Sequence, residues 1–204
     1  MKQYPSIDRT ISSSLDIYAF NKLDGSNIRV EWTRKNGFEK FGSRRQLIDE
    51  RTPILGESIQ IFNFLYKDQL HEIFKENRWQ KVTCFLEFHG DNSFAGTHQN
   101  EQHRLTLFDV QIHKKGFLLP REFLKTFKDV KTAKLLYTGK CNQPFIESVE
   151  NGTLEGMTFE GVVCKANKYK TPGVPYMFKV KNKEWIEKLK IKCEGNEKLF
   201  KELL

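Results

Sequence analysis

The first part of the sequence alternates between short apolar and polar runs that are typical of β-strands. Ile17–Phe20 and Ile28–Trp32 flank the segment Lys22–Asn27, in which Asp-Gly-Ser-Asn favours a turn. Phe38–Phe41 is a further short run that ends before Gly42. Because β-branched and aromatic residues dominate these runs, we predict a strand–loop–strand unit followed by another strand.

Three later stretches have the apolar spacing of helices. Residues 56–79 carry apolar side chains at helical intervals, which predicts a helix with a break near Lys67. Residues 121–137 show a second helical pattern directly after a proline that suits a first turn. A third pattern covers residues 183–204 and is interrupted around Gly195.

Strand-like runs return at four other places, Val82–Phe88, Leu105–Ile112, Gly161–Lys165 and Tyr176–Val180. Strands therefore outnumber helices and do not alternate with them regularly, which favours an α+β fold with antiparallel sheets over a doubly wound parallel sheet. Neither a repeat nor a low-complexity linker interrupts the sequence. We expect residues 1–204 to form one domain, with residues 183–204 as a C-terminal helical segment.

Composition narrows the classes of protein. The chain has 204 residues, is 38% hydrophobic and contains 17 Phe, which is typical of a globular protein with a core. Its 34 Lys and Arg exceed its 26 Asp and Glu, and the formal charge of +8 favours a polyanionic partner such as nucleic acid. The start lacks a signal-peptide pattern and no run approaches a membrane span, so we expect a cytoplasmic protein, or one in the host cytoplasm if it is viral.

The four cysteines are scattered and form no CxxC pair, which argues against a structural zinc site. Cys84 and Cys164 lie in apolar runs and are predicted to be buried thiols. The histidines likewise fit no common metal-ligand spacing.

Four short blocks carry candidate chemistry, in this order: Lys22-Leu23-Asp24-Gly25, Glu87-Phe88-His89-Gly90, Glu160-Gly161-Val162-Val163 and Lys179-Val180-Lys181. A lysine such as Lys22 becomes a nucleophile when desolvation or a nearby positive charge favours its neutral amine. Glu87 lies on a face of its strand that is otherwise apolar, and a carboxylate there needs a partner. Glu160, at the entrance of a strand, has the chemistry to hold Mg²⁺ through water, although an exposed strand-end glutamate is the alternative.

Other residues between the blocks fit a nucleotide site. Arg44 or Arg45 follows a strand, and a guanidinium pairs well with phosphate or ribose oxygens. Phe108 and Asp109 end an apolar run, and a phenylalanine there has the chemistry to stack on a purine or to join the core. Lys179 and Lys181 point to the same face of their strand, where an anion such as a triphosphate would relieve their repulsion.

Taken together, the ordered blocks resemble the motifs of the covalent nucleotidyltransferases, which are polynucleotide ligases and mRNA capping enzymes. The Phe-Leu-Glu-Phe-His-Gly form of the second block resembles the ATP-dependent RNA ligases in particular. The resemblance spans residues 22–181 and implies an ATP-grasp-like nucleotidyltransferase domain. It also implies ATP and Mg²⁺ as cofactors, with Mn²⁺ as an alternative, and an RNA with 5′-phosphate and 3′-hydroxyl ends as the partner.

The resemblance implies a role for each residue. Lys22 would be adenylylated, Asp24 would contact the nucleophile or metal, and Glu160 would be the metal ligand. Arg44, with Arg45 as the alternative, would contact ribose or phosphate, and Glu87 would contact the ribose. Phe108 would stack on adenine and Asp109 would support the site. Lys179 and Lys181 would bind the phosphates of ATP.

The sequence departs from the pattern of the family after its last block. RNA ligases usually carry a further domain after the last lysine block, whereas this sequence ends at Leu204. If the chain is complete, we expect a monomer that docks RNA through the catalytic domain or through a partner protein. A minimal DNA ligase, an mRNA capping guanylyltransferase and an inactive nucleic-acid-binding module are the alternatives.

Overall fold

The computed structural model describes residues 1–9, 14–91, 93, 98 and 100–204. In this part of the chain the elements follow in the order β1 (Asp16–Lys22), β2 (Gly25–Thr33), β3 (Gly37–Ser43), β4 (Leu47–Ile48), α1 (Glu57–Leu65), α2 (Lys67–Glu76), β5 (Lys81–His89), β6 (Arg104–Ile112), β7 (Gly116–Phe117), α3 (Pro120–Thr126), β8 (Leu135–Lys140), α4 (Gln143–Glu150), β9 (Gly161–Thr171), β10 (Val174–Lys181), α5 (Lys183–Lys192) and α6 (Glu197–Leu203). The expected α+β class is confirmed.

The strands form two antiparallel sheets. The smaller sheet has the order β10-β9-β1-β8 and the larger one the order β4-β3-β2-β5-β6-β7. One face of the larger sheet packs on α1, α2 and α3 through large side chains such as Phe62, Phe74 and Phe127. One face of the smaller sheet packs on α4 through Phe145 and Val149. The other two faces lie opposite each other across a cleft, in which Nζ of Lys165 on β9 is 2.7 Å from Oδ2 of Asp109 on β6.

The predicted strand–loop–strand unit is confirmed, but the connection is shorter than the segment Lys22–Asn27. Lys22 is the last residue of β1, and Gly25–Asn27 already belong to β2. The two strands lie in different sheets, with only Leu23 and Asp24 between them. The connection is therefore a crossover from one wall of the cleft to the other.

The helix predicted over residues 121–137 is wrong in its second half. It ends at Thr126, and residues 135–140 form the strand β8 at the edge of the smaller sheet. There β8 supplies hydrogen-bond partners for one edge of β1, and Leu136 and Tyr137 pack against the core around α4. Long-range pairing overrides local spacing here. The sequence analysis also missed α4, although Asn142 caps it by accepting a hydrogen bond from the Phe145 amide at 3.0 Å.

The predicted helix breaks and the predicted buried cysteines are also confirmed. The break near Lys67 falls at Tyr66, between α1 and α2, and the interruption near Gly195 separates α5 from α6. Cys84 and Cys164 are buried thiols. Within the described residues, no helix is long and apolar enough to cross a membrane.

Candidate active site

The strand register of the smaller sheet brings the first and last lysine blocks together. Gly161, the first residue of β9, pairs with Lys22 of β1 on one side and with Lys181 of β10 on the other. A side chain at position 161 is excluded, because its Cβ would lie 2.2 Å from the carbonyl oxygen of Val180. The glycine of the Glu160 block therefore lets the two lysine-bearing strands close on β9.

Glu160 lies directly before this glycine and joins the two lysines. Its Oε1 is 2.8 Å from Nζ of Lys22 and is also bonded by Nζ of Lys181. Burial alone raises the pKa of Glu160, but the two ammonium groups outweigh burial and hold it below its ordinary value. Glu160 is only 4% exposed, so it is not the exposed strand-end glutamate that was the alternative.

The electrostatic setting of Lys22 differs from the sequence-based expectation. Burial lowers its pKa, but the charges of Glu160, Glu87 and Asp24 outweigh burial and raise the pKa above its ordinary value. Without nucleotide the site therefore favours the ammonium form and not the neutral amine. Lys22 must lose a proton before it can attack, and neutralising these carboxylates would make that loss easier.

A group of cations lies beside Lys22. Burial, followed by the charge of Lys22, lowers the pKa of Lys181 to about 7 and also lowers the pKa of Lys179. Arg44 and Arg9 are close enough to Lys179 to lower its pKa further. The structure thus places Arg44 near Lys179, together with Arg9, which the sequence analysis did not single out.

Glu87 and Asp24 approach from the larger sheet and the crossover. Glu87 lies on the cleft face of β5, while its neighbours Leu86 and Phe88 lie in the core, as the alternation predicts. Burial raises the pKa of Glu87 to about 8 and that of Asp24 to about 6. Gly25 brings the crossover close to β5, because a Cβ there would lie 2.2 Å from the Phe88 carbonyl oxygen.

A β-bulge places Phe108 and Asp109 on the same side of the larger sheet. Phe85 pairs with Asp109 but Leu86 pairs with Leu107, so Phe108 is an extra residue in β6. Without the bulge, alternation would send one of these two neighbours into the core. Phe108 is half-buried and its ring lies 5.1 Å from that of Tyr4.

Asp109 is fully buried and its carboxylate is bonded by protein groups. Its Oδ2 accepts hydrogen bonds from Lys165 Nζ at 2.7 Å and from the Tyr4 hydroxyl at 2.8 Å, while Oδ1 accepts one from the Val110 amide at 3.0 Å. Lys165 belongs to β9, so this ion pair joins the two walls of the cleft.

The donor set for a metal ion is small. Among the residues that the structure describes, no three His, Cys, Asp or Glu side chains are grouped closely enough to hold a metal ion alone. Glu160 is held in its charged form, and Oδ2 of Asp24 is buried without a hydrogen-bond partner in the described chain. This set fits Mg²⁺, which commonly binds through one or two carboxylates, water and substrate phosphates.

A family model described as RNA ligase matches residues 16–181, which include all nine predicted site residues. The chain belongs to the RNA ligase family. Among curated proteins, none matches the sequence.

Solved structures of the Naegleria gruberi RNA ligase share the fold of this RNA ligase family chain. A point mutant described with AMP and Mn has a TM-score of 0.69 at 16% identity, and 93% of this chain aligns with 58% of that one. A mutant described with ATP and Mn has a TM-score of 0.65 at 17% identity, and the alignment covers 87% of this chain and 53% of that one. The structure described with PPi has a TM-score of 0.65 at 18% identity, and the alignment covers 88% of this chain and 53% of that one. The chain thus spans less than two thirds of each of these proteins.

The sequence analysis missed several residues that make contacts at the site of this RNA ligase family member. Lys165 lies at the end of an apolar run, the same signal that identified Asp109, but the sequence analysis did not single it out. Asn21 also escaped notice, although its Oδ1 accepts 3.0 Å hydrogen bonds from both the amide and the hydroxyl of Thr158. The Thr158 hydroxyl in turn lies 3.4 Å from the Lys22 carbonyl oxygen, so these two residues fix the backbone at the nucleophile.

Proposed function

We propose that this chain is the nucleotidyltransferase domain of an ATP-dependent RNA ligase, with residues 183–204 as its C-terminal helical segment. The observation that supports it best is the assembly of Lys22, Glu160 and Lys181 around one strand end. Lys22 is the nucleophile, and membership of the RNA ligase family supports RNA with 5′-phosphate and 3′-hydroxyl ends as the substrate.

The reaction begins when Nζ of Lys22, after losing a proton, attacks the α-phosphorus of ATP. A P–N bond forms, the bond to the bridging oxygen breaks and pyrophosphate leaves. AMP then passes to a 5′-phosphate, and a 3′-hydroxyl finally displaces it. Each transfer is an in-line displacement in which positioning and charge neutralisation supply most of the rate.

The other residues position the nucleotide in this proposal. Phe108 stacks on adenine, and Glu87 and Arg44 contact the ribose or the phosphates. Lys179 and Lys181 neutralise phosphate charge from the same strand face. Asp24 orients the nucleophile, and Asp109 holds the wall beneath Phe108.

Glu160 would hold Mg²⁺ or Mn²⁺ together with the nucleotide phosphates, and such a cation supplies charge neutralisation at the transferred group. The Naegleria proteins described with ATP and Mn or AMP and Mn support this pairing of nucleotide and divalent metal. Glu160→Gln should therefore reduce adduct formation and its dependence on Mg²⁺ concentration. Glu150→Gln removes a carboxylate that pairs with a lysine at the surface and is the matched control.

Incubation with α-labelled ATP and Mg²⁺ tests the proposal directly. We expect a labelled, acid-labile protein adduct that is absent in Lys22→Ala and retained in Lys35→Ala, which removes an exposed turn lysine. Label from GTP alone would indicate capping chemistry instead. Absence of any label would contradict the enzyme proposal and leave a binding module.

Sealing is tested separately, because adduct formation alone does not identify the acceptor. Matched nicked duplexes with an RNA or a DNA 3′-hydroxyl strand should be compared at equal adduct level. Preferential joining of the RNA strand supports the RNA ligase proposal, and preferential joining of DNA contradicts it.

A further inference from the structure

Trp185 lies in the first turn of α5, directly after the strand that carries Lys179 and Lys181. It is 2% exposed, and its backbone amide donates a hydrogen bond at 3.0 Å to Oδ1 of Asn182. The Asn182 amide in turn donates to the Glu160 carbonyl oxygen at 3.1 Å. The backbone that carries Trp185 is therefore bonded to the strand entrance at the centre of the site.

The ring of Trp185 supports one of the site lysines. Nζ of Lys181 lies 3.7 Å from the ring centroid, well inside the distance at which a cation is attracted by an aromatic face. The Lys181 side chain is only 3% exposed, so little water competes for its ammonium group. Such contacts strengthen when both partners are desolvated.

The indole N–H of Trp185 lies near Asp24 and is not explained by the packing of the ring. In the described part of the chain, Nε1 of Trp185 and Oδ2 of Asp24 are both buried without a partner that meets hydrogen-bond geometry. Nε2 of His98 lies 3.7 Å from the same Asp24 oxygen, which is beyond hydrogen-bond distance. The indole nevertheless lies close enough to Asp24 to lower the pKa of its carboxyl, against the larger effect of burial. A buried donor and a buried acceptor each cost free energy when they are left without a hydrogen bond. This cost favours a direct bond from the Trp185 N–H to the Asp24 carboxylate when ATP binds and the site tightens.

The surrounding cluster does not require a tryptophan. Trp185 packs there with Leu189 and Cys193, and an all-carbon side chain would fill the same space. Only the indole combines a ring face for Lys181 with an N–H for Asp24. Asp24 belongs to the first of the four motif blocks and Lys181 to the last.

We propose that Trp185 is a positioning residue for lysine adenylylation, whose ring holds the Lys181 ammonium and whose N–H holds the Asp24 carboxylate. This inference rests on the proposed function, because it assigns Trp185 to that reaction. It makes the start of α5 part of the catalytic machinery and not only a packing helix.

Single-turnover adenylylation of Trp185→Phe and Trp185→Leu tests the proposal. Phenylalanine keeps a ring for Lys181 but loses the N–H, so its maximal rate should fall about tenfold with little change in half-saturating ATP. Leucine loses both contacts, so half-saturating ATP should also rise about five- to thirtyfold. Rates are expressed per active molecule, with thermal unfolding measured alongside.

Trp79→Phe is the matched control, since Trp79 is a buried tryptophan in the core of the larger sheet. The maximal rate of adenylylation and the half-saturating ATP concentration should be unchanged in Trp79→Phe. In an Asp24→Asn background, the rate effect of Trp185→Phe should disappear, because the two residues act through one contact. A Trp185→Phe variant with the rate of the parent, or an undiminished effect in the Asp24→Asn background, would overturn the proposal.

A second measurement does not depend on activity or on a folded Trp185 variant. The three tryptophans give three indole N–H signals in a ¹H–¹⁵N spectrum, and Asp24→Asn should shift the Trp185 signal more than those of Trp32 and Trp79. Equal shifts for all three contradict the contact. If the parent protein forms no adduct but the Trp185 signal still shifts, the proposed function fails while the contact stands.

Discussion

Lys22 and Lys181 bind the same carboxylate oxygen, Oε1 of Glu160, from strands on either side of β9. One negative charge is thereby shared between the proposed nucleophile and a proposed phosphate ligand. Any change in the charge of Glu160 or Lys181 must alter the ease with which Lys22 loses its proton. The site therefore behaves as one coupled charge system.

Lys181→Arg should flatten the pH dependence of ATP binding. Burial and Lys22 lower the pKa of Lys181 to about 7, so in the free protein its charge is lost as the pH rises through 7. Since the charged form attracts phosphate, ATP affinity of the parent should fall between pH 6 and 9. Arginine stays charged over this range. Calorimetry with an α,β-methylene ATP analogue measures binding without turnover, and Lys183→Arg is the surface control. Equal pH slopes for parent and Lys181→Arg would contradict the assignment.

Glu87→Gln should stabilise the protein at alkaline pH. Burial raises the pKa of Glu87 to about 8 from an ordinary value of 4.5, so the folded state holds its proton more tightly than the unfolded state. The parent should lose stability as the pH rises from 4.5 to 8, and the amide should remove this loss. Urea unfolding at several pH values measures the difference, with exposed Glu155→Gln as the control. A stability difference that does not grow with pH over this window would rule out a protonated Glu87.

Phe108→Ala should weaken ATP binding without unfolding the protein, because Phe108 is only half-buried. Stacking of a base on an aromatic ring contributes about 1 to 3 kcal/mol, so half-saturating ATP should rise about 5- to 150-fold. Phe64→Ala removes a phenylalanine that is 88% exposed and should have no effect. If Phe108→Ala left half-saturating ATP unchanged, Phe108 would be a packing residue alone.

Lys165→Met should destabilise the fold by about 3 to 5 kcal/mol, because it leaves the buried Asp109 carboxylate without its cation. Combining it with Asp109→Asn should restore part of that stability. Lys168→Met is the control on the exposed end of the same strand and should leave the free energy of unfolding unchanged. Urea unfolding gives these values. An Asp109→Asn variant of normal stability but much poorer ATP binding would show instead that Asp109 contacts the nucleotide.

Strand alternation was enough to predict which face Glu87, Lys179 and Lys181 would occupy, because these residues lie in regular strands. It did not predict that Phe108 and Asp109 share a face, since a bulge depends on the partner strand as well as on β6. Residues 135–137 fit either helix or strand locally, and the free edge of β1 decided between them. The sequence also did not predict the raised pKa of Lys22, because the three carboxylates near it come from distant parts of the chain.

The two-residue crossover sets a mechanical limit on the cleft. With only Leu23 and Asp24 between the sheets, the Cα atoms of Lys22 and Gly25 can be no more than about 11 Å apart. The opposite end of the cleft is closed by non-covalent contacts, including a 2.8 Å hydrogen bond from the Phe117 amide to the Gly173 carbonyl oxygen. The crossover thus limits how far the two walls can separate beside the nucleophile. At the far end only non-covalent contacts limit their separation, so a larger ligand is more easily accommodated by widening there.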